Sequence, residues 1–335
     1  MSSSQREIVA VLGAGSWGTA LAYLTSRNGL VTRLWTRSEA AAVDLSQAEE
    51  NLKYLPGASL KSVLVSADLA AVLSEATWVI AAVPSHVVPE LATTLRDLLP
   101  AGANVISGTK GLHPESGLRS AQIWEQLGAL PPARYVALSG PNLAKEIIAG
   151  VPTSTVVASQ EAATALAAQR LFSTPAFRVY TNTDLIGVEL GGALKNVVAI
   201  AAGICDGLGF GDNSKAALVT RAWHEMTRLA VALGARESTL FGLSGIGDLF
   251  ATCASPHSRN HALGCHLASG ETLKEAQHEV SQVAEGVHTT RAALRLSAAT
   301  GVELPVTEQV AAILFAGRDP RQAVTELMSR QGCSE

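Results

Sequence analysis

Apolar positions fall in short unbroken runs along the first half of the chain and in longer helical rhythms along the second. Ile8–Leu12 reads IVAVL, β-branched and uninterrupted, as expected of a parallel strand buried on both faces. Gly13–Gly18 follow, and then an alanine- and leucine-bearing helix that should stop near Asn28–Gly29, where Gly29 can take the left-handed conformation that ends a helix. Val31–Trp35 is the next predicted strand, which completes a strand–helix–strand unit of the right size for a right-handed crossover. Further strands are predicted at Trp78–Val83, Asn104–Ser107, Tyr135–Ser139, Thr155–Ala158 and Phe177–Tyr180, with helical stretches between them. This alternation predicts an α/β fold, a doubly wound parallel sheet with helices on both faces. From about Leu185 the helical runs lengthen and extended β-branched runs disappear, so a mostly α-helical C-terminal domain is expected. The join is placed near Thr183–Val188, dividing the chain into residues 1–187 and 188–335.

Composition narrows the function. A chain of 335 residues favours two domains and can bury a sizeable core. With 47% hydrophobic and 16% charged residues it is globular, and a net charge of -4 argues against a general nucleic-acid binder. An anionic substrate would therefore need locally placed cations. The four cysteines, Cys205, Cys253, Cys265 and Cys333, form no CxxC pair and are too few for a disulfide scaffold, which points to a reducing, cytoplasmic compartment. The Ser-rich first residues lack the apolar stretch of a signal peptide and are expected to be flexible. Val197–Cys205 is apolar but about half the length a membrane-spanning helix needs, so no membrane span is expected.

Gly13-Ala-Gly15-Ser16-Trp17-Gly18 fits G-x-G-x-x-G between a strand and a helix. The first glycine permits the tight turn, the second lets backbone approach a pyrophosphate, and the third lets the helix pack on the strand. The phosphates would sit at a helix N-terminus, where free N–H groups and the dipole favour anions. This predicts a Rossmann-type dinucleotide-binding domain. The acidic residue usual at the end of the second strand is absent, and Thr36 and Arg37 stand there. A carboxylate there would hydrogen-bond the ribose hydroxyl of NAD, whereas Arg37 can pair with a 2′-phosphate. NADPH is therefore the expected cofactor, with NADH tolerated; a solvated surface arginine is the plainer alternative.

The second half opens with Glu189-Leu-Gly-Gly-Ala-Leu-Lys195-Asn196, then runs through Gly207-Leu-Gly-Phe-Gly-Asp-Asn213 to Lys215. Leu243-Ser-Gly-Ile-Gly-Asp248-Leu249, Ser258-Arg259-Asn260 and Val283-Ala-Glu285-Gly286 come later. With GAGSWG, Asn51–Gly57, Val83–His86, Lys110-Gly111 and Ser139-Gly-Pro141, these segments closely resemble the bacterial type of NAD(P)-dependent sn-glycerol-3-phosphate dehydrogenase family, over residues 6 to 330. The resemblance implies interconversion of dihydroxyacetone phosphate and sn-glycerol 3-phosphate, feeding glycerophospholipid synthesis. Members of this family are often homodimers.

The resemblance makes Lys195 the catalytic base. On residues alone a surface lysine is as natural, but a lysine among small apolar residues is expected to be buried, which favours its neutral form and suits it to proton transfer. Lys110 follows a predicted strand, at the end where open parallel sheets place ligands, and by resemblance it touches substrate and cofactor. A cation there would stabilise a developing alkoxide. Asp248 is implied either as a substrate-hydroxyl acceptor or as an orienter of Lys195. Ser258, Arg259 and Asn260 resemble the phosphate-binding segment, with Arg259 also near the cofactor. The resemblance adds Gly140 and Asn142 to the substrate site, and Ala144, Val283 and Glu285 to the cofactor site.

Three departures stand out. Asn142-Leu143 replace a serine or threonine followed by phenylalanine, Ala222-Trp223-His224 replace a glycine-led segment, and His261 replaces an arginine. Cys253, His257, His261 and Cys265 recur every four residues with His266 adjacent, a zinc-like set, but Pro256 interrupts the helix and no metal is expected. The rival enzymatic reading is a related two-domain 3-hydroxyacid or 6-phosphogluconate dehydrogenase. The rival from another class is a catalytically silent cofactor sensor.

Overall fold

The computed structural model describes residues 7–280 and 283–329. The Ser-rich start and Cys333 lie outside the described residues. The chain divides into two compact units: one is built from residues up to 109 with 120–188, the other from 110–119 with the chain from 189 onward. The excursion of residues 110–119 is not visible in the hydrophobic pattern, because it carries no regular element.

The first unit is organised around an eight-stranded sheet. Its strands are β1 (Ile8–Leu12), β2 (Val31–Trp35), β5 (Val63–Ser66), β6 (Trp78–Ala81), β7 (Asn104–Ser107), β8 (Tyr135–Ser139), β9 (Thr153–Ala158) and β10 (Phe177–Asn182), in the spatial order β10-β9-β8-β7-β6-β1-β2-β5. A separate hairpin pairs β3 (Glu50–Asn51) with β4 (Leu55–Ser59). The chain starts in the middle of the sheet and winds outward in both directions, the doubly wound pattern. Val9–Leu12 and Val79–Ala81 are fully buried, which explains their uninterrupted apolar runs. Burial of each large aliphatic side chain contributes roughly 1.5–3 kcal/mol.

The sheet is parallel except where β9 runs antiparallel to β8. The expected doubly wound parallel sheet is borne out, with this one antiparallel pairing added, as is common when strands are appended to such a core. The sequence pattern also missed β3, β4 and β5. Residues 55–59 read LPGAS, whose proline and glycine look like a turn, and β5 is a four-residue edge strand. The helix after β1, α1, spans Ser16–Arg27 and ends as expected, with Gly29 at φ 77°.

The second unit is helical. Its main helix, Leu185–Gly207, has 23 residues, far longer than the Val197–Cys205 run. It is long and apolar enough to cross a membrane, yet 89% of its most apolar window is buried inside the protein, as in a core helix. Glycines bring its backbone against helix Arg259–Ala268. A Cβ on Gly203 would lie 2.0 Å from the His261 carbonyl oxygen, and one on Gly264 would lie 2.2 Å from that of Ile200. The two helices therefore touch main chain to main chain, with no side chain between them.

Candidate active site

The dinucleotide cradle lies wholly in the first unit. Gly13 has φ 110°, and a Cβ there would meet the Ala82 oxygen at 2.6 Å. A Cβ on Gly18 would sit 1.8 Å from the Gly13 oxygen, so helix and loop could not close together with any other residue. Gly15 has open space where its Cβ would be. It also occupies the N-cap of α1 without a side-chain cap, and no acidic residue stands in the first turn. The positive end of the helix dipole therefore meets no protein carboxylate in its first turn, and the residues fit a bound pyrophosphate. Asn51, from the hairpin, supports this loop: its amide donates to the Ala14 carbonyl and to Thr19 Oγ1. Ser16 donates its hydroxyl to the Tyr54 carbonyl at 2.7 Å. The Trp17 indole N–H is buried and has no hydrogen-bond partner among the described residues. Arg37 is exposed immediately beyond β2, just before Ser38 caps the next helix.

Gly140, Asn142 and Ala144 follow β8 in the same unit. Gly140, at φ 131°, packs against Thr155. The Asn142 amide donates to Thr155 Oγ1 at 3.0 Å, and Thr155 in turn donates to the Ser139 carbonyl at 2.7 Å. Those two bonds turn the Asn142 oxygen the other way, where it is buried without a donor among the described residues. Ala144, like Trp17, packs against a small apolar cluster of Ala20, Leu55 and Ala58.

The second unit assembles the ionisable groups. Asp248 is 3% exposed at the first turn of helix Asp248–Ala254 and bridges two lysines. Its Oδ2 is 2.9 Å from Lys110 Nζ, and its Oδ1 is 3.1 Å from Lys195 Nζ. Lys195 is 5% exposed on the long helix, as its apolar neighbours implied. It also donates to Thr252 Oγ1 at 2.6 Å. Thr252 was not anticipated from the sequence, although it lies one helical turn beyond Asp248, the spacing that puts two side chains on one face. Burial drives the pKa of Lys110 down to about 8; the adjacent Asp248 carboxylate opposes that shift, while Lys195 and Arg259 reinforce it. Two lysines share one carboxylate, which leaves the cluster net positive. These are the local cations that an acidic chain would need for an anionic substrate.

Ser258 caps helix Arg259–Ala268, its hydroxyl accepting the His261 N–H at 3.2 Å. Arg259 is exposed in the first turn and feels the charge of Glu285. Asn260 is buried, with its amide engaged by Asn196 and by the Gly286 N–H. Asn196 is the second residue the sequence did not single out as functional. Val283 and Glu285 lead into helix Glu285–Thr300. Of the histidine and cysteine series, His261 Nε2 lies 2.7 Å from Asp206 Oδ2, and His266 contacts Glu271. Among the described residues no three such side chains are arranged to hold a metal.

A dinucleotide cradle and a lysine–aspartate–lysine cluster define the class: a nicotinamide-nucleotide-dependent dehydrogenase. The family model described as NAD-dependent glycerol-3-phosphate dehydrogenase N-terminus matches residues 8–165, and its C-terminus counterpart matches residues 184–325. Curated proteins named glycerol-3-phosphate dehydrogenase [NAD(P)+] are similar over nearly the full length. That of Carboxydothermus hydrogenoformans is 46% identical over 96% of both chains. That of Pelotomaculum thermopropionicum is 47% identical, covering 96% of this chain and 93% of its own. The crystal structure of glycerol-3-phosphate dehydrogenase from Coxiella burnetii superposes with a TM-score of 0.93 at 38% identity, over 97% of this chain and 99% of the other. The chain belongs to the NAD-dependent glycerol-3-phosphate dehydrogenase family.

Proposed function

We propose that this protein catalyses reversible hydride transfer between NAD(P)H and dihydroxyacetone phosphate, giving sn-glycerol 3-phosphate. The observation that carries the reading is the bridging of Lys110 and Lys195 by Asp248, in a chain of this family. When bound, the nicotinamide supplies or accepts the hydride at C2 of the substrate. The protein's own groups manage charge and protons. Lys195 gives its proton to the C2 oxygen in reduction and takes it back in oxidation. Its ammonium is aimed by Asp248 Oδ1 and Thr252 Oγ1, so the donor is oriented before the substrate arrives. Lys110 offsets the negative charge that develops on the same oxygen. Arg259 and the first turn of its helix, capped by Ser258, favour the phosphate group.

In this reading Gly13, Gly15, Ser16, Trp17 and Gly18 hold the dinucleotide, with Ala144, Val283 and Glu285 lining its remainder and Gly140 and Asn142 contacting substrate. Arg37 pairs with a 2′-phosphate, so NADPH is preferred and NADH tolerated. The enzyme works in the cytosol, mainly towards glycerol phosphate for phospholipid synthesis.

Following NADPH loss at constant enzyme tests the reaction. Dihydroxyacetone phosphate should support it and other keto substrates, such as 3-keto acids, should not; no oxidation with dihydroxyacetone phosphate would defeat the proposal. Lys195→Ala should lose about 10²–10⁴-fold in kcat while still binding NADPH. For the cofactor, Arg37→Ala should raise KM for NADPH about tenfold and leave that for NADH unchanged, the loss expected for a charge-assisted phosphate contact. Equal preference in both proteins would remove Arg37 from the site.

A further inference from the structure

Asn51 is 1% exposed, and its whole side-chain amide is engaged within the first unit. Its Oδ1 accepts the Tyr54 N–H at 3.1 Å. Its Nδ2 donates to the Ala14 carbonyl at 2.9 Å and to Thr19 Oγ1 at 2.7 Å. The direction of these bonds is forced. The Tyr54 N–H can only donate and the Ala14 carbonyl can only accept, so the amide fits one way round. One side chain of the β3–β4 hairpin thereby grips both the glycine loop and the first turn of α1.

The loop depends on support from outside itself. Ala14 stands between Gly13 and Gly15, and glycine gives up more conformational freedom on ordering than any other residue. On one side the Gly13 N–H donates to the Trp35 carbonyl at 3.2 Å, and on the other the Gly15 carbonyl accepts the Thr19 N–H at 2.9 Å. Asn51 holds the peptide between those two points. The hairpin that carries it is itself seated on α1: its Leu55 and Ala58 cluster with Ala20, and Ser16 Oγ donates to the Tyr54 carbonyl. A packed support therefore stands behind the loop that fits a bound pyrophosphate.

We propose that Asn51 is a positioning residue for cofactor binding: acting through the Ala14 carbonyl and Thr19, its buried amide sets the glycine loop and the start of α1 in their receiving arrangement before the dinucleotide arrives. This rests on the functional reading above, in which that loop holds the cofactor. Order supplied in advance is order that binding need not supply, and its loss at one glycine-flanked peptide corresponds to about tenfold in affinity.

Asn51→Leu removes all three bonds at similar size. The pyrophosphate is common to NADPH and NADH, so the variant should weaken both by the same factor, about tenfold in Kd by titration calorimetry without substrate. With cofactor saturating, kcat and KM for dihydroxyacetone phosphate should stay within about threefold of wild type, since the loss lies in cofactor binding alone. Without any ligand, hydrogen exchange at the Gly13 and Thr19 amides, both bonded in the wild type, should quicken. Thr19→Val removes one bond of the three, so it should weaken both cofactors by only about threefold and add little to Asn51→Leu. Unaltered affinity, weakening of NADPH alone, or unchanged exchange at Gly13 and Thr19 would overturn the proposal. Should Asn51→Leu not accumulate as folded protein, Thr19→Val is read by the same affinity and exchange criteria. If wild type binds NADPH but fails with dihydroxyacetone phosphate, the reaction assigned above falls, while the titrations and the exchange still decide the role of Asn51. A wild type that binds neither nucleotide would overturn both.

Discussion

Lys110 concentrates the residue-scale chemistry. A lysine normally keeps its proton to beyond pH 10, but burial and the neighbouring Lys195 and Arg259 lower this one to about 8 despite Asp248. The sign follows directly: a depressed lysine loses its charge as pH rises through its own pKa, so stabilisation of the alkoxide should fade above pH 8. The profile of kcat/KM against pH, which reports the free enzyme, should fall on that side. Lys110→Arg should be slower throughout yet lack this limb, since a guanidinium stays charged. Identical profiles in the two proteins would separate Lys110 from the pH dependence. Much of this cluster was readable beforehand. Lys195, Lys110 and Asp248 are marked by the segments that contain them, and an apolar setting announces a buried lysine. Thr252 and Asn196 were not readable as functional, because a threonine or asparagine on a helix means nothing until its partner, tens of residues away, is known.

At the scale of elements, helix Pro305–Ala316 has an unusual start. Its N-cap, Leu304, has no side chain able to accept a hydrogen bond. Glu225, from helix Asp212–Ala232, supplies the missing acceptor: both its oxygens lie near the Val306 N–H, at 3.0 and 3.1 Å. Burial pushes this carboxyl up to about 7, although the Val306 and Thr307 N–H groups and Arg228 pull it down; Glu308 adds to the rise. A carboxyl whose folded pKa exceeds its unfolded value of 4.5 favours folding most below pH 4.5. That contribution is lost as pH climbs to about 7, and integrates to roughly 3 kcal/mol. Glu225→Gln keeps an acceptor and cannot titrate. Urea unfolding at pH 5 and pH 8 should therefore show wild type losing stability relative to the variant at the higher pH; parallel behaviour would contradict this account. The strands illustrate the same dependence on context. β1 and β6 were evident because burial on both faces leaves an unbroken apolar run. β4 was hidden because its proline and glycine sit in a two-stranded hairpin where no central-sheet ladder forbids them.

For the whole molecule, the departure from a simple two-part chain is the passage of residues 110–119 into the second unit. Beyond a hydrogen bond from Asn196 Nδ2 to the Lys110 carbonyl, this passage is held by Arg119, whose guanidinium lies 2.5 Å from Glu189 Oε2, a nearly buried carboxylate at the head of the long helix. Arg119→Met should cost about 3 kcal/mol, because it strands a charge away from water, and Glu189→Leu in the same protein should recover much of that loss. Urea denaturation of the three proteins measures it, and independent effects would sink the idea of a coupled pair. The predicted division at residues 187–188 rests on where strand patterns give way to helical ones. Hydrophobic periodicity has no means of registering a ten-residue loop that belongs with helices not yet encountered.

That loop has a consequence for how the protein comes into being. On a ribosome, residues 110–119 emerge with the sheet, yet the helices they belong to begin some seventy residues later. At about 5–20 residues per second, the segment waits several seconds to tens of seconds for its partners, while the sheet around its two ends can already condense. Its contacts are non-local and should form late. The last event of assembly would then be the capture of Lys110, so a nascent or truncated chain could hold a finished sheet and still have no chemistry.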